Sequence, residues 1–155
     1  MRAAGTVCPV TFPGSPTLRI TQPQYEAIVG HCYNGLPDEA CGLLGGPAVG
    51  PMEEPTGTIT AVFPTRNADA SSRTYTVDGR DLLGAMRTME ERGEVLVGCW
   101  HSHTHTEAYP SPTDVRTAAA NPNWIYVIVS LKPEHGRSEE HTSELQSPCN
   151  LVCRL

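Results

Sequence analysis

The segment from residue 94 to residue 114 constrains the fold more than any other part of the chain, because it runs from a buried strand into a polar loop. Residues 94–100 (EVLVGCW) are largely apolar, which predicts a short buried strand. His101 and His103 continue this segment, and alternate residues of an extended backbone point to the same side. We therefore expect both imidazoles on one face of a sheet.

A helix start follows the two histidines. Ser111 is a good N-cap residue, Pro112 suits the first helical position, and Asp114 places an acid in the first turn. That turn can bring Asp114 back toward His101 and His103. Two imidazoles and one carboxylate, with a fourth position open to water, form the ligand pattern of catalytic zinc. The alternative reading is two polar residues at a strand end and an acid favoured by the helix dipole.

The spacing His-Ser-His, seven residues, Ser, two residues, Asp resembles the signature of the JAMM (MPN+) metallopeptidases. Glu39 lies upstream in PDEACGLLGG, which resembles the glutamate segment of that family. The resemblance covers roughly residues 18–131. Residues 37–42, 67–68 and 106–111 make it stronger toward a bacterial branch that includes a peptidase releasing cysteine from a sulfur-carrier protein.

The resemblance implies an α/β fold, an MPN (JAB-like) domain with a central mixed β-sheet flanked by helices. It also implies one zinc ion per chain, bound by His101, His103 and Asp114. Glu39 would be the general base, and Ser111 would donate a hydrogen bond to the oxyanion. Alternating helices and strands around one sheet are independently typical of an α/β sandwich.

The substrate that the resemblance implies is the Gly-Gly end of a ubiquitin-like or sulfur-carrier protein, with cysteine as one leaving group. His105 is a candidate substrate-binding residue in the loop. Two rivals stay open: a non-catalytic MPN-type scaffold, and a zinc hydrolase acting on a small amide. The zinc deaminases lack support here, because their combined signature of His-x-Glu and Pro-Cys-x-x-Cys is absent: the chain has no Pro-Cys-x-x-Cys.

Composition excludes several classes of function. The net charge of −6 and the lack of a basic block argue against nucleic acid. No apolar run approaches the ~20 residues of a membrane span. There are six cysteines, but Cys32, Cys41 and Cys99 fall on apolar faces, where a free thiol behaves as a small hydrophobe. We therefore predict a reduced, cytoplasmic protein, with Cys41 and Cys99 in the core rather than acting as nucleophiles.

The chain divides into three parts by its patterns. Residues 1–17 contain three prolines and no periodicity, which predicts a flexible leader. Residues 18–136 hold the predicted domain. Residues 137–147 (RSEEHTSELQS) equal the translation of a common short-read sequencing adapter, and residues 150–155 match its continuation. We interpret 137–155 as no part of the natural domain, and expect the domain to be incomplete at its C-terminal end, with an unpaired strand edge.

The other predicted elements follow from hydrophobic periodicity and capping residues. The helix at residues 78–92 should bury Leu82, Leu83, Met86 and Met89 on one face. Trp100 should point away from His101 and pack in the core. In chain order the predicted elements are a strand at 18–20, a helix at 21–34, strands at 40–46, 58–63 and 75–77, the helix at 78–92, the strand at 94–100, a helix from 111 to about 120, and a strand at 124–131.

Overall fold

A computed structural model describes residues 18–50 and 57–132, together with the backbone of 151–153. The described elements are α1 (Gln22–Asn34), β1 (Cys41–Pro47), β2 (Ala61–Thr65), α2 (Gly79–Glu91), β3 (Glu94–His103), α3 (Pro112–Ala118), β4 (Ile125–Ser130) and β5 (Leu151–Cys153). The strands form one sheet in the order β2-β1-β3-β4-β5. Strands β3 and β4 are parallel and the other neighbours are antiparallel, so the predicted mixed sheet is confirmed.

Strand β1 pairs with β3 in a register that brings the residues before β1 to the histidines. Cys41 lies opposite His101, and Gly42 lies opposite Trp100. A Cβ atom at Gly42 would lie 2.3 Å from the Trp100 ring, so only glycine allows the indole to cover this strand. The pairing extends beyond β1, because Ala40 accepts a hydrogen bond from the Ser102 backbone N–H and donates its own N–H to Ser102 Oγ.

Helices cover both faces of the sheet. On one face, Ile28 and Cys32 of α1 belong to the same buried cluster as Trp100. On the other face, Met89 of α2 clusters with Cys99. Trp100 is fully buried, as predicted, and burying a large side chain of this kind contributes about 1.5–3 kcal/mol to folding. Because adjacent residues of β3 point to opposite faces of the sheet, Trp100 lies in the core on one face and His101 lies on the other.

The helix starts follow the capping residues. Thr21 begins α1 with a capping box that Gln24 completes, and Asp78 accepts N–H groups from the first turn of α2. The predicted face of α2 is partly wrong, because Leu83 is 57% exposed and Met86 is 49% exposed. Only Ala85 and Met89 are fully buried, since a helix that packs on a sheet by one face turns its other positions toward solvent.

Three predicted strands differ from the structure. Residues 18–20 and 75–77 form only isolated bridges, Arg19 with Thr58 and Asn67 with Val77. The strand predicted at 58–63 lies at Ala61–Thr65 instead. It continues through Pro64 because β2 is an edge strand, where a missing N–H breaks no ladder bond.

The leader predicted at residues 1–17 and most of the segment 137–155 lie outside the described residues. From that segment, Leu151–Cys153 pairs with Val127, Ile128 and Val129 of β4. The expectation of an unpaired edge on β4 is therefore wrong over these three residues, because their backbone supplies the missing partners. The domain boundary at residue 136 stays a prediction.

Among the helices that the structure describes, none is long and apolar enough to cross a membrane.

Candidate metal centre

His101, His103 and Asp114 converge at the end of β3. The three possible ligand atoms all lie within 4.8 Å of one another. His101 Nε2 lies 3.2 Å from His103 Nε2 and 3.3 Å from Asp114 Oδ1, and His103 Nε2 lies 3.3 Å from Asp114 Oδ2. Both histidines are buried, and 10% of the Asp114 side chain is exposed. The predicted triad is thus assembled, as alternation along β3 and the helix start of α3 require.

The surroundings of His103 fix its orientation. Its Nδ1 lies 2.8 Å from the Glu107 carbonyl, so Nδ1 carries the proton that this bond needs and Nε2 faces the triad. The His103 carbonyl accepts the Leu131 N–H, which ties the residue to the strand beside it. A ligand imidazole held through its second nitrogen is the usual arrangement at metal sites.

Asp114 also caps its own helix. Its Oδ2 accepts the Ser111 N–H at 2.7 Å, and Ser111 Oγ accepts the Asp114 N–H at 3.1 Å, which completes a capping box. Burial opposes ionisation, but hydrogen bonds from His101, His103 and Ser111 outweigh it and hold the pKa of Asp114 well below its usual range. The carboxylate is therefore ionised at neutral pH.

The two imidazoles differ in their electrostatics. Burial lowers the pKa of His101 and keeps that ring neutral. Burial also works to lower the pKa of His103, but its hydrogen bonds to Asp114 and to the Glu107 carbonyl raise it above its ordinary value. A metal ligand must be the neutral ring, so metal binding at this site should release a proton from His103.

Glu39 lies just before β1 and is only 7% exposed. Its backbone N–H donates to the Ser71 carbonyl at 2.8 Å, and its carbonyl accepts Asn67 Nδ2 at 2.9 Å. Burial raises the pKa of Glu39 to about 7; the nearby charge of His103 lowers it and that of Asp114 raises it. A carboxyl group with this pKa can both take and give a proton at neutral pH.

Glu39→Gln is expected to stabilise the metal-free protein at pH 8 and to change its stability little at pH 5. The folded-state pKa of about 7 exceeds the ordinary 4.5, so folding favours the protonated acid. That stabilisation is present at acid pH and is lost as pH rises through 7, whereas glutamine stays neutral. The gain at pH 8 should be on the order of 2–3 kcal/mol.

Urea unfolding in the presence of a chelator measures this difference. Glu107→Gln is the matched control, because the Glu107 side chain is 67% exposed and its neutralisation should give no gain. An equal stability change for Glu39→Gln at both pH values would show that folding does not raise the pKa of Glu39.

Tyr75 is a site residue that the sequence analysis missed. Its ring stacks on His101 with centroids 4.3 Å apart and planes 19° from parallel, and its hydroxyl lies 3.8 Å from Cys99 Sγ. Nothing local in the sequence links two residues 26 positions apart. Asn67 was singled out only through the resemblance, and its amide bonds to the carbonyls of Glu39 and Thr74 now explain its place.

The remaining predicted residues are placed as follows. Ser111 is half-buried at the N-cap of α3, and His105 is exposed in the loop after β3. Cys41 and Cys99 are buried, as predicted. Burial raises the pKa of Cys41, and raises that of Cys99 to about 11, so both thiols stay protonated and are poor nucleophiles.

Comparison with known proteins gives a family and named relatives for the chain. A family profile described as prokaryotic homologs of the JAB domain matches residues 21–142. The chain is 42% identical over 110 residues to the CysO-cysteine peptidase of Mycobacterium tuberculosis, covering 71% of this chain and 70% of that protein. It is 31% identical over 121 residues to the desampylase of Haloferax volcanii, covering 75% and 82% of the two chains.

The fold is also similar to solved structures. The solution structure of a protein from Desulfitobacterium hafniense superposes with a TM-score of 0.62 at 32% sequence identity. The match covers 86% of this chain and 78% of that protein. The JAB-like fold expected from the sequence is therefore confirmed.

Proposed function

The chain belongs to the prokaryotic JAB-domain family and is a hydrolase of that family. From this premise we propose that it is a zinc-dependent peptidase acting at the Gly-Gly end of a ubiquitin-like or sulfur-carrier protein. The observation that carries the proposal is the convergence of His101, His103 and Asp114. Glu39, a buried carboxyl with a raised pKa, lies close enough for its charge to interact with that of His103.

The donor set fits zinc. Two imidazole nitrogens and one carboxylate oxygen are the ligands of many catalytic zinc sites, and the three residues that would supply them here are largely buried. The hydrogen bond from His103 to the Glu107 carbonyl leaves Nε2 free as a ligand atom. Zinc bound by these three side chains would acidify a water molecule and polarise the scissile carbonyl.

The chain's own residues supply the proton transfers. Glu39 takes a proton from the attacking water and delivers it to the leaving amine. Ser111 donates its hydroxyl to the developing oxyanion, since among the described residues its Oγ accepts a bond from the Asp114 N–H and donates none. Asp114 stays ionised throughout because its pKa is held well below neutral.

The names of the relatives support the substrate class. One is a CysO-cysteine peptidase and another a desampylase. On this chain, Tyr109 is 75% exposed and Val115 is 51% exposed, and both flank the site on the loop and helix that carry Asp114. Two exposed apolar side chains at this place suit contact with a folded carrier protein. Cys32, Cys41 and Cys99 form no disulfide among the described residues, which fits a reduced, cytoplasmic location.

Cleavage by the metal-loaded protein tests the proposal. After reconstitution with zinc, the chain should bind about one equivalent and release cysteine from a CysO–cysteine adduct. Chelation should abolish the cleavage and added zinc should restore it. Cleavage that survives complete removal of metal, or the absence of any cleavage with one zinc bound, would contradict the proposed function.

A further inference from the structure

We propose that Arg73 binds the free α-carboxylate of the leaving amino acid, and so directs the enzyme toward carriers that end in a single amino acid rather than toward lysine isopeptides. This inference rests on the proposed function and deepens it by naming the leaving group. It is carried by the place of Arg73 in the fold and by its side chain, which has no ion pair or hydrogen bond among the described residues.

The segment before Arg73 is attached to the site. The Ser71 carbonyl accepts the Glu39 N–H at 2.8 Å, and the Ser72 carbonyl accepts Thr104 Oγ1 at 3.3 Å. Thr104 is buried and follows His103 directly. The two residues before Arg73 therefore contact Glu39, the proposed general base, and the loop that follows the histidines.

The segment after Arg73 is attached as well. The Thr74 carbonyl accepts Asn67 Nδ2 at 3.0 Å, and the Tyr75 ring stacks on His101. Arg73 thus lies between two points of contact with the site, and it is the exposed residue that carries a positive charge in this stretch. Its backbone cannot move far from the site without breaking these contacts.

The guanidinium of Arg73 is available for a ligand. Within the described part of the chain it makes no ion pair and no side-chain hydrogen bond. Two other cations are already in ion pairs: Arg66 lies 3.0 Å from Asp78, and Lys132 lies 2.6 Å from Glu107. An exposed arginine gains little by itself, but a carboxylate presented to it can form two parallel hydrogen bonds.

The chemistry of the leaving group makes a cation useful at this position. In an amino acid adduct, the α-carboxylate is two bonds from the scissile nitrogen, so it enters close to Glu39 and Asp114, which both carry negative charge when ionised. Bound zinc would offset part of this negative charge, and a positive side chain at the outer side of the leaving group would offset the rest. In a lysine isopeptide the scissile nitrogen is Nζ, and no carboxylate lies so near.

Three adducts of the same carrier separate these cases. The probes are CysO–cysteine with a free carboxylate, its C-terminal carboxamide, and CysO joined to the Nζ of lysine. With zinc-loaded full-length chain, Arg73→Ala should lower kcat/KM for the free acid by about 10–100-fold and leave the other two nearly unchanged. Arg73→Lys should fall between, because it keeps the charge and loses the planar fork. Arg87→Ala, an exposed arginine on α2, should change none of them.

A binding measurement keeps the test independent of turnover. Calorimetry on zinc-loaded Glu39→Gln, with and without Arg73→Ala, should show lost affinity for the free acid only. An equal loss for all three adducts, or no loss for the free acid, would overturn the role of Arg73. If the wild-type chain with zinc bound cleaves none of the adducts, the proposed function is wrong, and the calorimetry still decides whether Arg73 recognises the carboxylate.

Discussion

Glu39→Gln should retain about one zinc per chain while its turnover falls by roughly 10²–10⁴-fold. Glutamine has nearly the same shape, but it cannot accept a proton from water or deliver one to the leaving amine. Glu39 is not one of the three converging ligand residues, so metal content should not change. Its backbone contacts to Ser71 and Asn67 do not involve the carboxyl group, so the local fold should also be kept.

Metal analysis and single-turnover cleavage of a carrier adduct give the two readouts together. Glu107→Gln again serves as the control, because it neutralises an exposed carboxylate beside the site. Wild-type turnover in Glu39→Gln would show that another group is the base. Lost zinc in this variant would instead mean that Glu39 is a ligand.

His103→Ala is expected to lose both metal and activity. The substitution removes one of three proposed metal ligands, since His103 Nε2 lies 3.3 Å from Asp114 Oδ2 and 3.2 Å from His101 Nε2. Loss of a partner that only hydrogen-bonds a metal ligand typically weakens metal binding by about 10–100-fold. Loss of a ligand itself should weaken zinc binding by at least as much. Cleavage should then fall to background at stoichiometric zinc.

His105→Ala provides the matched control for metal content. His105 lies two residues further along the same loop and is exposed, so its loss should leave zinc binding unchanged. A competition titration against a chromophoric chelator measures both affinities. Equal zinc affinity in His103→Ala and the wild type would contradict the assignment of the metal site.

The histidine pair could be predicted because its geometry is local. Alternation along β3 fixes the side to which His101 and His103 point, whatever else the chain does. The position of Asp114 could be predicted for a similar reason, since the capping box with Ser111 sets the first turn of α3. The core position of Trp100 follows from the same alternation.

The features that could not be predicted depend on tertiary packing. The stacking of Tyr75 on His101 joins residues that no local pattern connects. Leu83 and Met86 have the spacing of a buried face, but the sheet under α2 accepts only a narrow stripe. The strand at Ala61–Thr65 passes through Pro64 because it lies at the sheet edge, and edge position is not visible in the residues themselves.

The main chain and the side chain of Glu39 are held differently. Ser71 and Asn67 hold its main chain on both sides of the Cα atom, while its carboxyl group makes no hydrogen bond within the described residues. The position of its two carboxyl oxygens is therefore set by side-chain torsions and packing and not by a hydrogen bond of the carboxyl group. In the proposed reaction the same carboxyl group takes a proton from water and gives it to the leaving amine, so its placement affects both steps. The loop around Ser71 positions the main chain of Glu39, so substitutions in that loop can shift the carboxyl group relative to the proposed metal site without replacing Glu39 itself.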